Sequence, residues 1–349
     1  MKEEIKINQS ITLRNAMKLL NKTAEKCLLV VNENNKLKGT LTDGDIRRAI
    51  LKGHDFKRDI KNIYNKSPFY VYQNKYKNDD LLSKMEDKKI DLVPVVNDQS
   101  IVVNYVTWSK LSKGKNKNKL LKNISVVIMA GGKGTRMQPF TKILPKPLIP
   151  IKNKTIIEHI IKQFMDFGIK NIFLTVNYKS RILKAYFEEL KPNFNVKFVN
   201  EDSPLGTAGS LHLLKNKFKN SFFVTNCDII AKLNYHSLYT FHEEGNYDIT
   251  MVASAKQYTL PYGAISLDSS GSYSKINEKP QFDFLVNAGL YVLNPKILDF
   301  IPENKFYHIT NLIEDLKIGN KRIGVFPIDE DLWIDIGQWE EYKKALNKI

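Results

Sequence analysis

Ser125-Val126-Val127-Ile128-Met129-Ala130-Gly131-Gly132-Lys133-Gly134-Thr135-Arg136-Met137 decides how this chain is read. Val126 to Ala130 form an unbroken apolar run, the pattern of a strand covered on both faces. Glycines at 131, 132 and 134 follow at once. Lacking Cβ atoms, they let backbone N–H groups close in on an anion. Arg136, and Lys146 of Pro145-Lys146-Pro147 ten residues on, add the positive charge a triphosphate needs. Two other phosphate motifs fail here. The Walker A loop needs Ser or Thr after its Gly-Lys, where Gly134 stands. The dinucleotide fingerprint needs a third glycine where Met137 stands.

Downstream, strands and helices alternate. Thr155 is placed to cap a helix whose one face carries Ile156, Ile157, Ile160, Ile161 and Phe164, with Gly168 as its stop. Strands are expected over 171–176, 194–199 and 221–225, and a helix over 179–190. This alternation implies a mostly parallel sheet that binds its ligands at the carboxyl ends of the strands.

The first third contains a repeat at an offset of 65: Val30-Val31-Asn32-Glu33 returns as Val95-Val96-Asn97-Asp98, and Thr42 falls on Thr107. Each copy reads as helix, strand, turn, strand, helix. Tandem units of this size pack together because neither can bury its apolar face alone. Between 110 and 122, lysines at 110, 113, 115, 117, 119 and 122 meet no acid, so the segment is expected to be extended and solvated. The expected division is 1–113, a basic linker at 114–123, and 124–349.

Of 349 residues, 54 are basic and 37 acidic, a net charge of +17. A nucleic-acid partner is disfavoured because only seven of the basic residues are Arg, the charge is dispersed, and basic and aromatic residues do not interleave. No apolar run approaches the length of a membrane span and the N-terminus carries no signal-like segment, so a cytosolic chain without membrane contact is expected. Cys27 and Cys227 read as buried thiols, and the scattered His show no zinc spacing. Asp329-Glu330-Asp331, a literal D-x-D, is expected to be a solvated loop.

The run from Ala130, with Pro139 and Pro145-Lys146-Pro147, resembles the A-G-G-x-G-T-R-(L/M)-x-P…P-K-P signature of sugar-1-phosphate nucleotidyltransferases. The resemblance covers about 125–349 and implies an α/β fold, a Rossmann-like, mixed, mostly parallel sheet. It implies that Ala130, Gly131, Gly132, Gly134 and Thr135 bind the nucleotide, with Arg136 and Lys146 catalytic. Glu201-Asp202-Ser203-Pro204-Leu205-Gly206-Thr207 is similar to the base-binding loop, and Glu201, Gly206 and Thr207 are carried over from it. Asp228, in Asn226-Cys227-Asp228, and Asp335, in Trp333-Ile334-Asp335-Ile336-Gly337, match the positions of metal-binding Asp residues. Tyr262, Gly263, Glu278 and Asn287 match sugar contacts, and Lys279 a contact to the sugar phosphate. Singly each has a plain alternative: Asp228 ending a strand, Glu278-Lys279 as a surface pair worth a few tenths of a kcal/mol, Pro261-Tyr262-Gly263 as an ordinary turn. Their occurrence in family order favours the site.

The first third resembles a tandem CBS module of α+β type. Gly39-Thr40-Leu41-Thr42-Asp43-Gly44-Asp45 is similar to the G-h-(S/T)-x-x-D segment of that family, which implies an adenine-nucleotide effector held by Thr42 and Asp45. Copy two departs, with Asn104 in place of Gly39 and Lys110 in place of Asp45, so at most one such site is complete. Regulation or assembly into a homo-oligomer is the implied role.

The implied reaction joins two anions: an oxygen of a sugar 1-phosphate attacks the α-phosphorus of an NTP and pyrophosphate leaves. Mg²⁺ is therefore expected, with hard carboxylate ligands. Guanine presents two adjacent donors to a carboxylate such as Glu201, so GTP is the expected nucleotide. The sugar is not legible in the residues. The domain arrangement resembles glucosamine-1-phosphate guanylyltransferases of legionaminic acid pathways. Mannose-1-phosphate guanylyl transfer, thymidylyl or cytidylyl transfer to glucose 1-phosphate, and a catalytically silent nucleotide-binding regulator remain alternatives.

Overall fold

The structure is a computed structural model and describes residues 3–23, 25–112 and 121–348. It divides into two units, with the boundary at Asn116 and Lys117. The expected linker at 114–123 falls mostly outside the described residues. At its far end Leu121 is buried in the core of the second unit, so that end is anchored by an apolar side chain.

The first unit runs β1 (Lys6–Ile7), α1 (Leu13–Thr23), β2 (Cys27–Val31), β3 (Leu37–Thr42), α2 (Asp43–Leu51), β4 (Val71–Tyr72), α3 (Asn78–Asp87), β5 (Leu92–Val96), β6 (Val102–Thr107) and α4 (Trp108–Leu111). It holds two three-stranded sheets, β1-β2-β3 and β4-β5-β6. In each, the first pair is parallel and the second antiparallel. The register slips at Val30/Val31 and again at Val95/Val96, the offset of 65 seen in the sequence. The copies diverge at their last helix, nine residues in α2 but four in α4.

In the second unit come β7 (Ser125–Met129), β8 (Pro150–Ile151), β9 (Lys154–Thr155), α5 (Ile156–Met165), β10 (Asn171–Val176), α6 (Ser180–Leu190), β11 (Asn195–Asn200), β12 (Phe222–Asn226) and β13 (Ile229–Ala231). These are followed by α7 (Tyr235–Glu244), β14 (Ile249–Thr259), β15 (Ala264–Leu267), β16 (Tyr273–Asn277), β17 (Gln281–Leu293), α8 (Ile309–Ile318), β18 (Ile323–Asp329), β19 (Trp333–Asp335) and α9 (Trp339–Lys348). Its main sheet has the order β11-β10-β7-β12-β17-β14-β18. All neighbours are parallel except that β17 runs against both of its own. The expected mixed, mostly parallel sheet is present.

The apolar run of β7 does what its composition dictates. Val126 and Ile128 face a core shared with Ile156, Ile160 and Phe164 of α5. Val127 and Met129 face the opposite core with Ile309, Leu312 and Leu316 of α8. Thr155 caps α5 as expected: its hydroxyl accepts from the Glu158 N–H, and the Glu158 carboxylate accepts from the Thr155 N–H at 2.8 Å. No helix among the described residues is long and apolar enough to cross a membrane.

One expectation is corrected here. Asp329 is buried rather than solvated: it ends β18, the edge strand of the sheet, opposite Ala255 of β14, and its carboxylate accepts from the Asp331 N–H at 3.0 Å.

Candidate active site

Because β11, β10, β7 and β12 are adjacent and parallel, their carboxyl ends deliver Glu201, Thr175, the glycine loop and Asn226–Asp228 to one edge of the sheet. There they line a cavity of about 360 Å³, within the size range of small-molecule sites. Gly131, Gly132, Gly134, Thr135, Arg136, Lys146, Glu201, Gly206, Thr207 and Asp228 all line it. Ala130 does not. It is buried behind the loop and its N–H is spent on the Thr175 carbonyl at 3.0 Å, so it continues the sheet rather than offering a donor to a nucleotide.

Gly134 takes a left-handed backbone (φ 64°) to swing the chain into a 3-10 turn over Thr135–Met137, which carries Arg136. Lys146 sits in a second short turn and is nearly dry, its side chain 8% exposed. Its ammonium is paired with the Asp228 carboxylate, itself 15% exposed. Two such charges tolerate burial only as a pair, since removing either strands the other.

The second carboxylate arrives from the far end of the chain. β19 pairs antiparallel with β13, setting Asp335 across from Ile229, and the Ile336 N–H donates to the Asp228 carbonyl at 2.8 Å. A Cβ on Gly337 would meet Asp335 Oδ1 at 2.7 Å and Asp228 Oδ2 at 3.5 Å, so both carboxylates border the same small space. Burial, and then the Asp228 charge, raise the pKa of the Asp335 carboxyl. Cys227, between Asn226 and Asp228, is a free thiol whose pKa burial pushes up to about 12, which makes it inert at neutral pH. Cys27 is likewise free and buried.

Glu201 does not point to solvent. It is 7% exposed, and burial raises its pKa. Its Oε2 accepts from the Leu205 N–H at 3.3 Å, and a Cβ on Gly131 would lie 2.6 Å from Oε1. The glycine at 131 therefore makes room for this carboxylate as well as for a ligand.

The structure treats the proposed sugar contacts differently. Tyr262, Gly263, Glu278 and Lys279 stand beside the β15–β16 hairpin and are not among the cavity-lining residues. Tyr262 is 72% exposed, and Glu278 and Lys279 are exposed too. Gly263 is the link within this group, since a Cβ there would touch Glu278 Oε2 at 3.0 Å. Asn287 lies between the two regions. The β14–β17 ladder slips by two residues there, from Met251 opposite Tyr291 to Ala253 opposite Asn287. The Asn287 carboxamide oxygen accepts from the Gly289 N–H and the Tyr291 hydroxyl, both at 3.0 Å. Gly289 (φ 71°) then passes so close to cavity-lining Asn226 that a Cβ would sit 2.7 Å from its Nδ2.

In the first unit Thr42 and Asp45 are committed to each other. They form a capping box at the start of α2, with Asp45 Oδ2 accepting from the Thr42 N–H at 2.8 Å and its hydroxyl at 2.7 Å. Asp45 Oδ1 accepts from Arg48 at 2.5 Å. The acceptor positions expected to hold a ribose also begin a helix in this structure. Thr107 in copy two makes no cap bond.

Several cavity residues were not anticipated, among them Thr175, Asn226, Phe306 and His308. Thr175 and Asn226 end parallel strands and were recoverable from that rule. Phe306 and His308 carry no local signal, because only tertiary pairing brings their segment beside the 204–209 loop.

A family model described as nucleotidyl transferase matches residues 125–349, and one for the CBS domain matches residues 1–52. Mannose-1-phosphate guanyltransferase of Schizosaccharomyces pombe is 34% identical over 231 residues, covering 63% of this chain and 62% of that protein. The enzyme of the same name from Saccharomyces cerevisiae is 33% identical over 226 residues, covering 62% of each. The chain thus spans 62% of the length of these relatives. The crystal structure of HddC from Yersinia pseudotuberculosis superposes with a TM-score of 0.51 at 28% identity, covering 64% of this chain and 99% of that one. A second structure of HddC, complexed with GMP-PN, gives 0.50 at 27% over the same shares.

Proposed function

Because this chain belongs to the nucleotidyl transferase family, we propose that it transfers a nucleoside monophosphate from an NTP to a sugar 1-phosphate with release of pyrophosphate. The observation that carries this reading is the nearly dry Lys146–Asp228 pair inside a cavity lined by Gly131, Gly132, Gly134 and Arg136. In the reaction an oxygen of the sugar phosphate forms a bond to the α-phosphorus, and the bond from that phosphorus to the bridging oxygen of pyrophosphate breaks. The attacking phosphate is already ionised, so no general base is needed. Catalysis is positioning and charge neutralisation. Arg136 and the loop N–H groups hold the β- and γ-phosphates. Lys146 turns from Asp228 to the α-phosphate, and Lys279 meets the phosphate of the sugar.

The donor set fits a hard divalent cation such as Mg²⁺. Asp228 and Asp335 offer only carboxylate oxygens; burial first, and then the Asp228 charge, raises the Asp335 pKa, and a bound cation would favour the ionised form of both. Bound there, such an ion would neutralise developing phosphate charge.

The nucleotide of this reading is GTP. A buried carboxylate at Glu201 suits the paired donors of guanine, the relatives in yeasts are guanyltransferases, and HddC was crystallised with GMP-PN. For the sugar, glucosamine 1-phosphate, as a precursor of a legionaminic-type surface sugar, is the reading suggested by the CBS module ahead of the catalytic domain. Mannose 1-phosphate is the second reading, favoured by the names of the relatives at 33–34% identity. A pyrophosphate-release assay crossing GTP, ATP, UTP, CTP and dTTP with glucosamine, mannose and glucose 1-phosphates decides both points. Preference for UTP or dTTP overturns the reading of Glu201, and preference for mannose 1-phosphate overturns glucosamine.

A further inference from the structure

Next to Gly206 the cavity has a wall that the motifs do not announce. Residues 305–308 lie along the 204–209 loop and are joined to it by backbone hydrogen bonds. The Tyr307 N–H donates to the Leu205 carbonyl at 2.9 Å, and the Tyr307 carbonyl accepts from the N–H groups of Ala208 and Gly209, both at 3.0 Å. The approach is so close that a Cβ on Gly206 would fall 2.7 Å from the Tyr307 oxygen, and one on Gly209 2.6 Å from the Lys305 oxygen. With Tyr307 held in this way, neighbouring side chains take opposite sides. The Tyr307 hydroxyl reaches Asp315 on α8, while Phe306 and His308 both border the cavity.

Phe306 is 63% exposed. Its ring is not loose, because His308 meets it at a centroid distance of 4.7 Å with planes 80° apart. His308 Nδ1 is itself 3.3 Å from Thr207 Oγ1, and Thr207 also accepts from the Ile309 N–H at 3.0 Å. An apolar ring left in water at the mouth of a polar cavity, and propped at its edge, offers a free π-face. The same cavity carries Glu201, whose backbone N–H donates to the Val176 carbonyl at 2.9 Å.

We propose that Phe306, propped by His308, is the stacking platform for the nucleobase. It binds every base alike and leaves the choice of base to Glu201. The division follows from chemistry: each base has a π-face, so stacking is indifferent to identity, whereas a carboxylate reads donors on one edge. This inference rests on the nucleotide-binding reading of the cavity.

The test uses the full chain and its Phe306→Ala, Phe306→Trp and Glu201→Gln variants. KM is measured for GTP and for ATP or UTP at high concentration, together with inhibition by inorganic pyrophosphate, which has no base. Phe306→Ala is expected to raise KM about five- to a hundredfold for every NTP. The ratio between nucleotides and the inhibition constant of pyrophosphate should stay unchanged, and Phe306→Trp should restore binding. Glu201→Gln is expected to change the ratio. An unchanged KM in Phe306→Ala, or an equal loss of pyrophosphate inhibition, overturns the stacking role while leaving nucleotide binding in place. A wild-type chain that neither binds nor turns over any NTP overturns the parent reading, and the platform with it.

Discussion

Around the cavity, several polar side chains are withdrawn from water and matched: buried Lys146 with Asp228, buried Glu201 with the Leu205 N–H, half-buried Thr207 with the Ile309 N–H. Along the hairpin ribbon the opposite holds. Tyr262, Ile265, Leu267 and Tyr273 are 63–72% exposed, and Glu278 and Lys279 face solvent. Both regions carry family motifs of similar clarity in the sequence, yet only one is assembled. The difference follows from burial. A desolvated charge or amide must find its partner or forfeit several kcal/mol, so the cavity half is held in place by the folding of the sheet. Water satisfies the ribbon groups equally well in many arrangements, so their working geometry depends on the substrate they meet.

The largest expected effect contrasts two lysines. Lys146→Ala should lower kcat about 10²–10³-fold, the scale for removing a preorganised charge from a developing oxyanion. Lys279→Ala should instead raise KM for the sugar 1-phosphate about tenfold and leave KM for GTP unchanged. Steady-state kinetics on both variants breaks the comparison if Lys279→Ala weakens the two substrates equally.

A smaller effect concerns pH. Burial holds the Glu201 carboxyl above the ordinary range, so on acidification it takes up its proton at a higher pH than an exposed glutamate would. The ionised form that, on the proposed reading, would accept both guanine donors is then lost early, and KM for GTP should rise on the acid side. Glu201→Gln, with nothing to titrate, should remove that dependence. An unchanged acid limb in the variant would show that another group is responsible.

The smallest effect compares two glycines with nearly equal backbones. Gly206 (φ 80°) meets the Tyr307 carbonyl, whereas Gly271 (φ 83°), in the hairpin turn, has nothing within 4 Å of its would-be Cβ. Alanine costs about 1–2 kcal/mol in either place for the left-handed backbone. Only Gly206→Ala adds a clash with main chain, so thermal melts should show it clearly the more destabilised. Equal melting temperatures would mean that the 204–209 loop yields as readily as the ribbon.

Much of this was legible in the residues. The apolar run at 126–130 required a strand buried on both faces, and the two cores divide it residue by residue. The repeat at an offset of 65 foretold two like units, and in the structure their sheets slip register at positions 65 apart as well. Asp329 was misread because a D-x-D beside a proline carries no mark of the strand it closes. Asp45 caps a helix, a role that spacing does not distinguish from that of a ligand contact.

The sequence by itself determined the strand–glycine-loop unit, the parallel sheet and the identities of the charged groups at its edge, because periodicity and backbone freedom are local properties. Tertiary structure alone decided which groups meet. Asp335 joins Asp228 across 107 positions of sequence because β19 pairs with β13. Phe306 reaches the cavity because the Tyr307 backbone hydrogen-bonds to the loop of Gly206. Contacts of this kind depend on long-range closure and on the cost of leaving buried polar groups unpaired, and neither is recorded in a window of neighbouring residues.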